Sequence, residues 1–199
     1  MSSLKCIQRV SGAAVVFLIF AGLISCSTVS EVPVQSRPGT TTTFILLRHA
    51  EKIENGGQDK TGSYLLPEGK VRAQALVDAV GDMDVTAIYS PDLGRNLETV
   101  QPLADHLGLK VNIIARSRLS NTPRLANEFV EEVLSEHAGG VVVWVGNAST
   151  PLGPLGGNLR RIYQRLGGTG KPPVRYGDLY IIVVPDKGPV RITKSKFGE

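Results

Sequence analysis

The chain has 199 residues, 42% of them hydrophobic, with 22 basic side chains against 18 acidic ones and a net charge of +4. The basic residues form no run or stripe, so the charge gives no footing for nucleic-acid binding. Both cysteines, Cys6 and Cys26, lie near the start of the chain, which excludes a disulfide framework for the remainder and leaves stability to its core.

Residues 1–25 read as a leader. Lys5 and Arg9 make a basic start, and Gly12–Ile24 is apolar or small throughout. That run is too short for a comfortable membrane span and suits the core of a secretory signal. It stops at Leu23-Ile24-Ser25-Cys26, which resembles the lipobox of bacterial lipoproteins, where the cysteine is lipidated and becomes the first residue after cleavage. An ordinary signal peptide or an N-terminal anchor helix is the alternative. On the lipoprotein reading the mature protein is anchored to a membrane of the cell envelope through Cys26 and faces the periplasm or the exterior. Loss of Lys5 and Arg9 with the leader leaves 20 basic against 18 acidic side chains, so little net charge remains. Residues 26–42, with Pro33, Pro38 and an excess of serine and threonine, read as the lipidated cysteine and a flexible tether. Residues 43–199 are one domain's length.

Phe44-Ile45-Leu46-Leu47 is an uninterrupted apolar run that reads as a buried strand and leads directly into Arg48-His49. The glycine-rich, polar stretch from Ile53 to Ser63 is a loop. Pro67-Glu68-Gly69 opens a helix that Gly81 ends. Val85–Tyr89 is a short strand. Ser90 as cap and Pro91 as first helical residue then predict a helix to about Leu107, closed by Gly108. Val111–Ile114 is a strand, Pro123–His137 a helix, and Val141–Val145 another buried strand. Gly146-Asn147-Ala148-Ser149-Thr150 turns off its end. A helix around Leu155–Leu166 and two strands, Leu179–Val184 and Val190–Thr193, finish the chain. Strands alternating with helices imply an α/β fold, a mostly parallel central sheet with helices on both faces.

Open α/β sheets place ligands beyond the carboxyl ends of their strands. Three such ends here carry Arg48 with His49, the segment leading to Arg95, and Gly146 with Asn147. Two guanidinium forks and helix N-termini around an imidazole suit a phosphoryl dianion.

At these residues the sequence resembles the histidine phosphatase superfamily, with its phosphoglycerate-mutase-like, three-layer α/β/α fold. Arg48-His49-Ala50-Glu51-Lys52 is similar to one version of its Arg-His-Gly signature. Leu66-Pro67-Glu68-Gly69 with Arg72-Ala73-Gln74-Ala75-Leu76 is similar to its first helix, and Ser90 to Thr99 to its Ser-x-x-x-x-Arg-x-x-x-Thr segment. The resemblance implies that His49 attacks phosphorus and becomes a phosphohistidine, while Arg48 and Arg95 grip the non-bridging oxygens. It puts Asn55 where some members have a phosphate-contacting asparagine. It implies a small phosphorylated substrate and no metal or other cofactor.

The departure from the family pattern is Asn147, which stands where members usually carry a second histidine. An amide donates a hydrogen bond but brings no charge, so a weakened phosphatase is expected. The alternative is a catalytically inactive module that binds a phosphorylated ligand or a protein in the cell envelope. His106 and His137 read as helix-end histidines too distant to substitute. Glu51 is a candidate for the acid that protonates the leaving group, and Glu54 sits in the loop beyond it. Glu128, Glu131 and Glu132 read as a solvated helix face. Gly167-Gly168-Thr169-Gly170-Lys171 is not a P-loop, since Pro172 follows the lysine and the first glycine is misplaced. Ser149 lacks the glycine frame of a serine-hydrolase elbow.

Overall fold

The computed structural model describes residues 34–53, 64–148 and 157–199. The elements are β1 (Thr41–Arg48), α1 (Pro67–Val80), β2 (Val85–Pro91), α2 (Gly94–Leu107) and β3 (Val111–Ile114). A 3-10 turn at Arg116–Ser120 leads to α3 (Thr122–Glu136), β4 (Val141–Gly146), α4 (Asn158–Arg165), β5 (Asp178–Pro185) and β6 (Arg191–Lys196). The six strands form one sheet in the order β3-β2-β4-β1-β5-β6. Strands β1 to β4 are parallel, and β5 and β6 add an antiparallel flank beside β1.

Strand β1 shows why its apolar run has no polar interruptions. Phe44 and Leu46 face a core built with Phe129 of α3 and Ile162 of α4. Ile45 and Leu47 face the opposite core with Leu76 of α1 and Leu103 of α2. Both faces of the strand are covered along Phe44–Leu47, so each of these four positions is apolar. The result is three layers: α1 and α2, the sheet, then α3 and α4.

Two expected boundaries shift. The fold takes in part of the stretch read as a tether: β1 begins at Thr41, the Ser36 amide donates to the Pro185 carbonyl at 3.0 Å, and the Ser36 hydroxyl pairs with that of buried Thr42 at 2.6 Å. The second correction is at Ser90 and Pro91, which do not start α2. Strand β2 runs on through them, pairing Ser90 with Ile113 and Pro91 with Ile114, and α2 begins at Gly94. Proline is tolerated there because β4, on the other side of β2, pairs only as far as Tyr89, so no neighbour needs its missing N–H.

Gly69 fixes α1 against the segment after β1. The Leu66 amide donates to the Glu51 carbonyl at 2.9 Å, and a Cβ on Gly69 would run into that same oxygen.

Candidate active site

The carboxyl ends of β1 and β4 lie side by side, with Arg48 opposite Gly146 in register. The His49 amide extends the ladder by donating to the Gly146 carbonyl at 3.1 Å. One residue on, the Ala50 amide donates to Thr99 Oγ1 at 3.0 Å, and that hydroxyl donates to the Arg95 carbonyl at 2.7 Å. The four-residue spacing from Arg95 to Thr99 thus ties the first turn of α2 to the backbone beside His49.

His49 is buried, and its Nδ1 lies 2.8 Å from the Ala50 carbonyl oxygen. A carbonyl only accepts, which assigns the ring proton to Nδ1 and leaves Nε2 with its lone pair. Burial pushes the imidazole pKa down to about 3. The Ala50 hydrogen bond acts in the opposite direction, and the charges of Arg95, Arg48 and Lys52 add to the depression. The ring is therefore neutral at physiological pH, as a nitrogen nucleophile must be.

Two guanidinium groups flank it. Arg48 donates from Nη1 to the Val174 carbonyl at 2.7 Å, and its Cζ lies over the Tyr176 ring, 4.1 Å from the centroid. Arg95 donates from Nη2 to Asn147 Oδ1 at 3.0 Å. The Nε of each arginine is buried with no hydrogen-bond partner. A buried donor left unmade costs about 1–3 kcal/mol, and two of them beside a neutral imidazole suit an oxyanion that supplies the acceptors.

Asn147 is buried, its own amide donating to Asn158 Oδ1 at 2.9 Å. Since its Oδ1 faces Arg95, its Nδ2 is left as a donor. Gly146 is required next to it, because a Cβ would meet Asn158, Leu159 and Trp144.

The structure brings Arg48, His49, Arg95 and Asn147 together. Glu51 follows a different course. Its carboxylate takes hydrogen bonds from Arg72 Nε at 2.9 and 3.0 Å, and Arg72 Nη2 lies 2.8 Å from Oε1. Burial pushes its pKa up, but the Arg72 hydrogen bonds and charge outweigh this and hold the carboxyl below its usual range. The carboxylate expected as the leaving-group acid thus stands in an ion pair with Arg72 of α1, which favours its ionised form. Asn55, Glu54 and Cys26 lie outside the described residues. His106 is in the last turn of α2, and His137 caps α3, with Nε2 3.0 Å from the Tyr89 hydroxyl. Glu128 pairs with Arg118 and Arg124. Tyr176 and Val174 were not legible in the sequence: they reach the site from the loop before β5, which carries no motif.

Comparison with known proteins agrees with this fold. The family described as histidine phosphatase superfamily (branch 1) matches residues 44–172. A relative named probable phosphoglycerate mutase GpmB, from Erwinia tasmaniensis, is 26% identical over 124 residues, covering 61% of this chain and 58% of its own. The chain spans about half the length of the curated relatives it matches. Among solved structures, the protein histidine phosphatase SixA complexed with tungstate superposes with a TM-score of 0.59 at 11% identity, over 77% of this chain and 96% of its own. Phosphoglycerate mutase from Bacillus anthracis gives 0.54 at 17% identity, over 78% and 93%. The chain belongs to the histidine phosphatase superfamily.

Proposed function

We propose that the protein is a phosphomonoesterase that works through a phosphohistidine at His49, with turnover reduced by Asn147, and that Cys26 anchors it to a membrane of the cell envelope. The observation that carries the catalytic part is the set of groups around one imidazole. His49 is neutral, its Nδ1–H is committed to Ala50, and Arg48 and Arg95 each keep a buried Nε without a partner. In the first step Nε2 bonds to phosphorus as the P–O bond to the alcohol breaks, and the departing oxygen takes a proton from solvent water. In the second, water attacks the phosphohistidine and releases inorganic phosphate. The two guanidinium groups carry the charge spread over the equatorial oxygens. Loss of one donor at such a site costs on the order of 100- to 1,000-fold in rate, and an amide at 147, which still donates but carries no charge, costs less.

The names of the relatives, a mutase and a protein histidine phosphatase, support a small phosphorylated compound or a phosphorylated side chain as substrate. The second reading is a binding module without turnover. It is favoured by one observation: Asn147 spends its acceptor on Arg95, so the residue at the second-histidine position serves the arginine.

Hydrolysis of a generic aryl phosphate by wild type and His49→Ala tests the proposal. Loss of turnover in the variant supports it, and equal rates contradict it. Binding of phosphate by the wild type without turnover favours the second reading. For the anchor, Cys26→Ser should release the protein from the membrane fraction. An equally bound, unprocessed variant means that Gly12–Ile24 itself is the anchor.

A further inference from the structure

Arg48 is held by a loop far from it in sequence. Its guanidinium stacks on Tyr176 at 4.1 Å, gives Nη1 to the Val174 carbonyl at 2.7 Å, and brings Nη2 to 3.4 Å from the Tyr176 hydroxyl. The same ring lies beside His49, with centroids 5.8 Å apart. The loop is itself built. Asp178 Oδ2 accepts from the Val174 amide at 3.1 Å and from the Arg175 amide at 2.9 Å. Gly177, at φ +81, accepts at its carbonyl from the Phe197 amide at 3.0 Å. Arg72, the partner of Glu51, donates Nη1 to the Phe197 and Gly198 carbonyls at 2.9 and 2.8 Å.

An arginine side chain has several rotatable bonds, and fixing them costs conformational entropy. A guanidinium already pinned in one plane has met that cost before the oxyanion arrives. Here the Val174 carbonyl takes one edge of the fork and the Tyr176 ring takes one face. The buried Nε remains unclaimed.

We propose that Tyr176 is a positioning residue of the phosphoryl site: its ring, seated on a loop tied down by Asp178, holds Arg48 in the orientation that grips the non-bridging oxygens beside His49. The ring does this rather than the hydroxyl, because 3.4 Å is long for an N–H···O bond, whereas stacking at 4.1 Å is well within cation–π range. The inference rests on the phosphoryl-site reading of Arg48 and His49, but not on turnover.

The test is a double-mutant cycle on oxyanion binding, read by calorimetry with tungstate and with inorganic phosphate. Tyr176→Leu should weaken binding by about 5- to 10-fold, the range of a partly desolvated cation–π contact, and Tyr176→Phe should restore most of it. In an Arg48→Ala background Tyr176→Leu should cause no further loss, since the group it positions is gone. Equal losses in the two backgrounds, or a Phe variant as weak as Leu, overturn the proposal. Loss of the folded state in Tyr176→Leu would show as a lowered thermal midpoint, and Tyr176→Met then supplies the non-aromatic arm. A wild type that binds oxyanion but hydrolyses no ester contradicts the phosphatase reading alone. A wild type that binds neither oxyanion overturns both.

Discussion

The guanidinium of Arg95 and the side-chain oxygen of Asn147 are joined by a hydrogen bond of 3.0 Å. This contact couples the second arginine of the site to the residue that departs from the family pattern. Asn147 acts as an acceptor toward Arg95 and keeps Nδ2 as a donor, so it positions one charge and supplies none.

Replacing Asn147 with histidine should raise phosphatase turnover by roughly tenfold or more, within the roughly 100- to 1,000-fold that one donor at such a site is worth. The gain should depend on His49, and steady-state kinetics on an aryl phosphate checks both points. Asn147→Asp, which keeps the acceptor for Arg95 but adds a negative charge, should abolish oxyanion binding. No gain in a folded Asn147→His variant that still binds phosphate would favour the binding module.

The depressed pKa of His49 has two consequences. Because it lies at about 3, the ring stays neutral on acidification, and protonation of His49 should produce no fall in kcat between about pH 7 and 5. Stability behaves differently. Below its ordinary pKa the unfolded chain binds a proton at this ring that the folded chain refuses until about pH 3. Stability therefore falls as pH is lowered from about 6.5, by up to roughly 1.4 kcal/mol per pH unit from this group. Denaturation of His49→Gln over the same range should show a shallower slope.

The ion pair of Glu51 with Arg72 is structural on this account. Arg72→Met should destabilise the fold by about 1–3 kcal/mol, since it leaves a partly buried carboxylate unpaired and frees the Phe197 and Gly198 carbonyls. Glu51→Gln should cost less stability and change kcat by less than about tenfold, because an amide oxygen still accepts from Arg72. A far larger loss in kcat that grows with the basicity of the leaving group would restore Glu51 as the acid, at about the magnitude of general acid catalysis.

The parts of the fold that follow from periodicity were legible. The alternation of Phe44 and Leu46 against Ile45 and Leu47 serves two cores, and this is why β1 reads as a continuous apolar run. The end of β2 was misread because Ser-Pro is an equally good helix start, and only the neighbouring Ile114 of β3 reveals that the strand continues. Arg48 and His49 were legible because they close the apolar run of β1, and Arg95 because it stands in the first turn of the helix that follows β2. Tyr176 was not, because it meets Arg48 from 128 positions away in sequence, on a loop held by local bonds to Asp178 and by the distant Phe197 amide. The ion pair of Glu51 was not legible either: its partner, Arg72, lies on a helix whose placement against Glu51 depends on Gly69.

The central claim is a covalent intermediate on one ring nitrogen, and trapping it tests that claim most directly. Wild-type protein and Asn147→His are mixed with an aryl phosphate and quenched in alkali, where phosphohistidine survives, and the peptides are sequenced by mass spectrometry. The account predicts one phosphoryl group on His49, more abundant in early turnover and absent from His49→Ala. Hydrolysis with no phosphoryl group on His49, or a phosphorylated species that persists in His49→Ala, would contradict it.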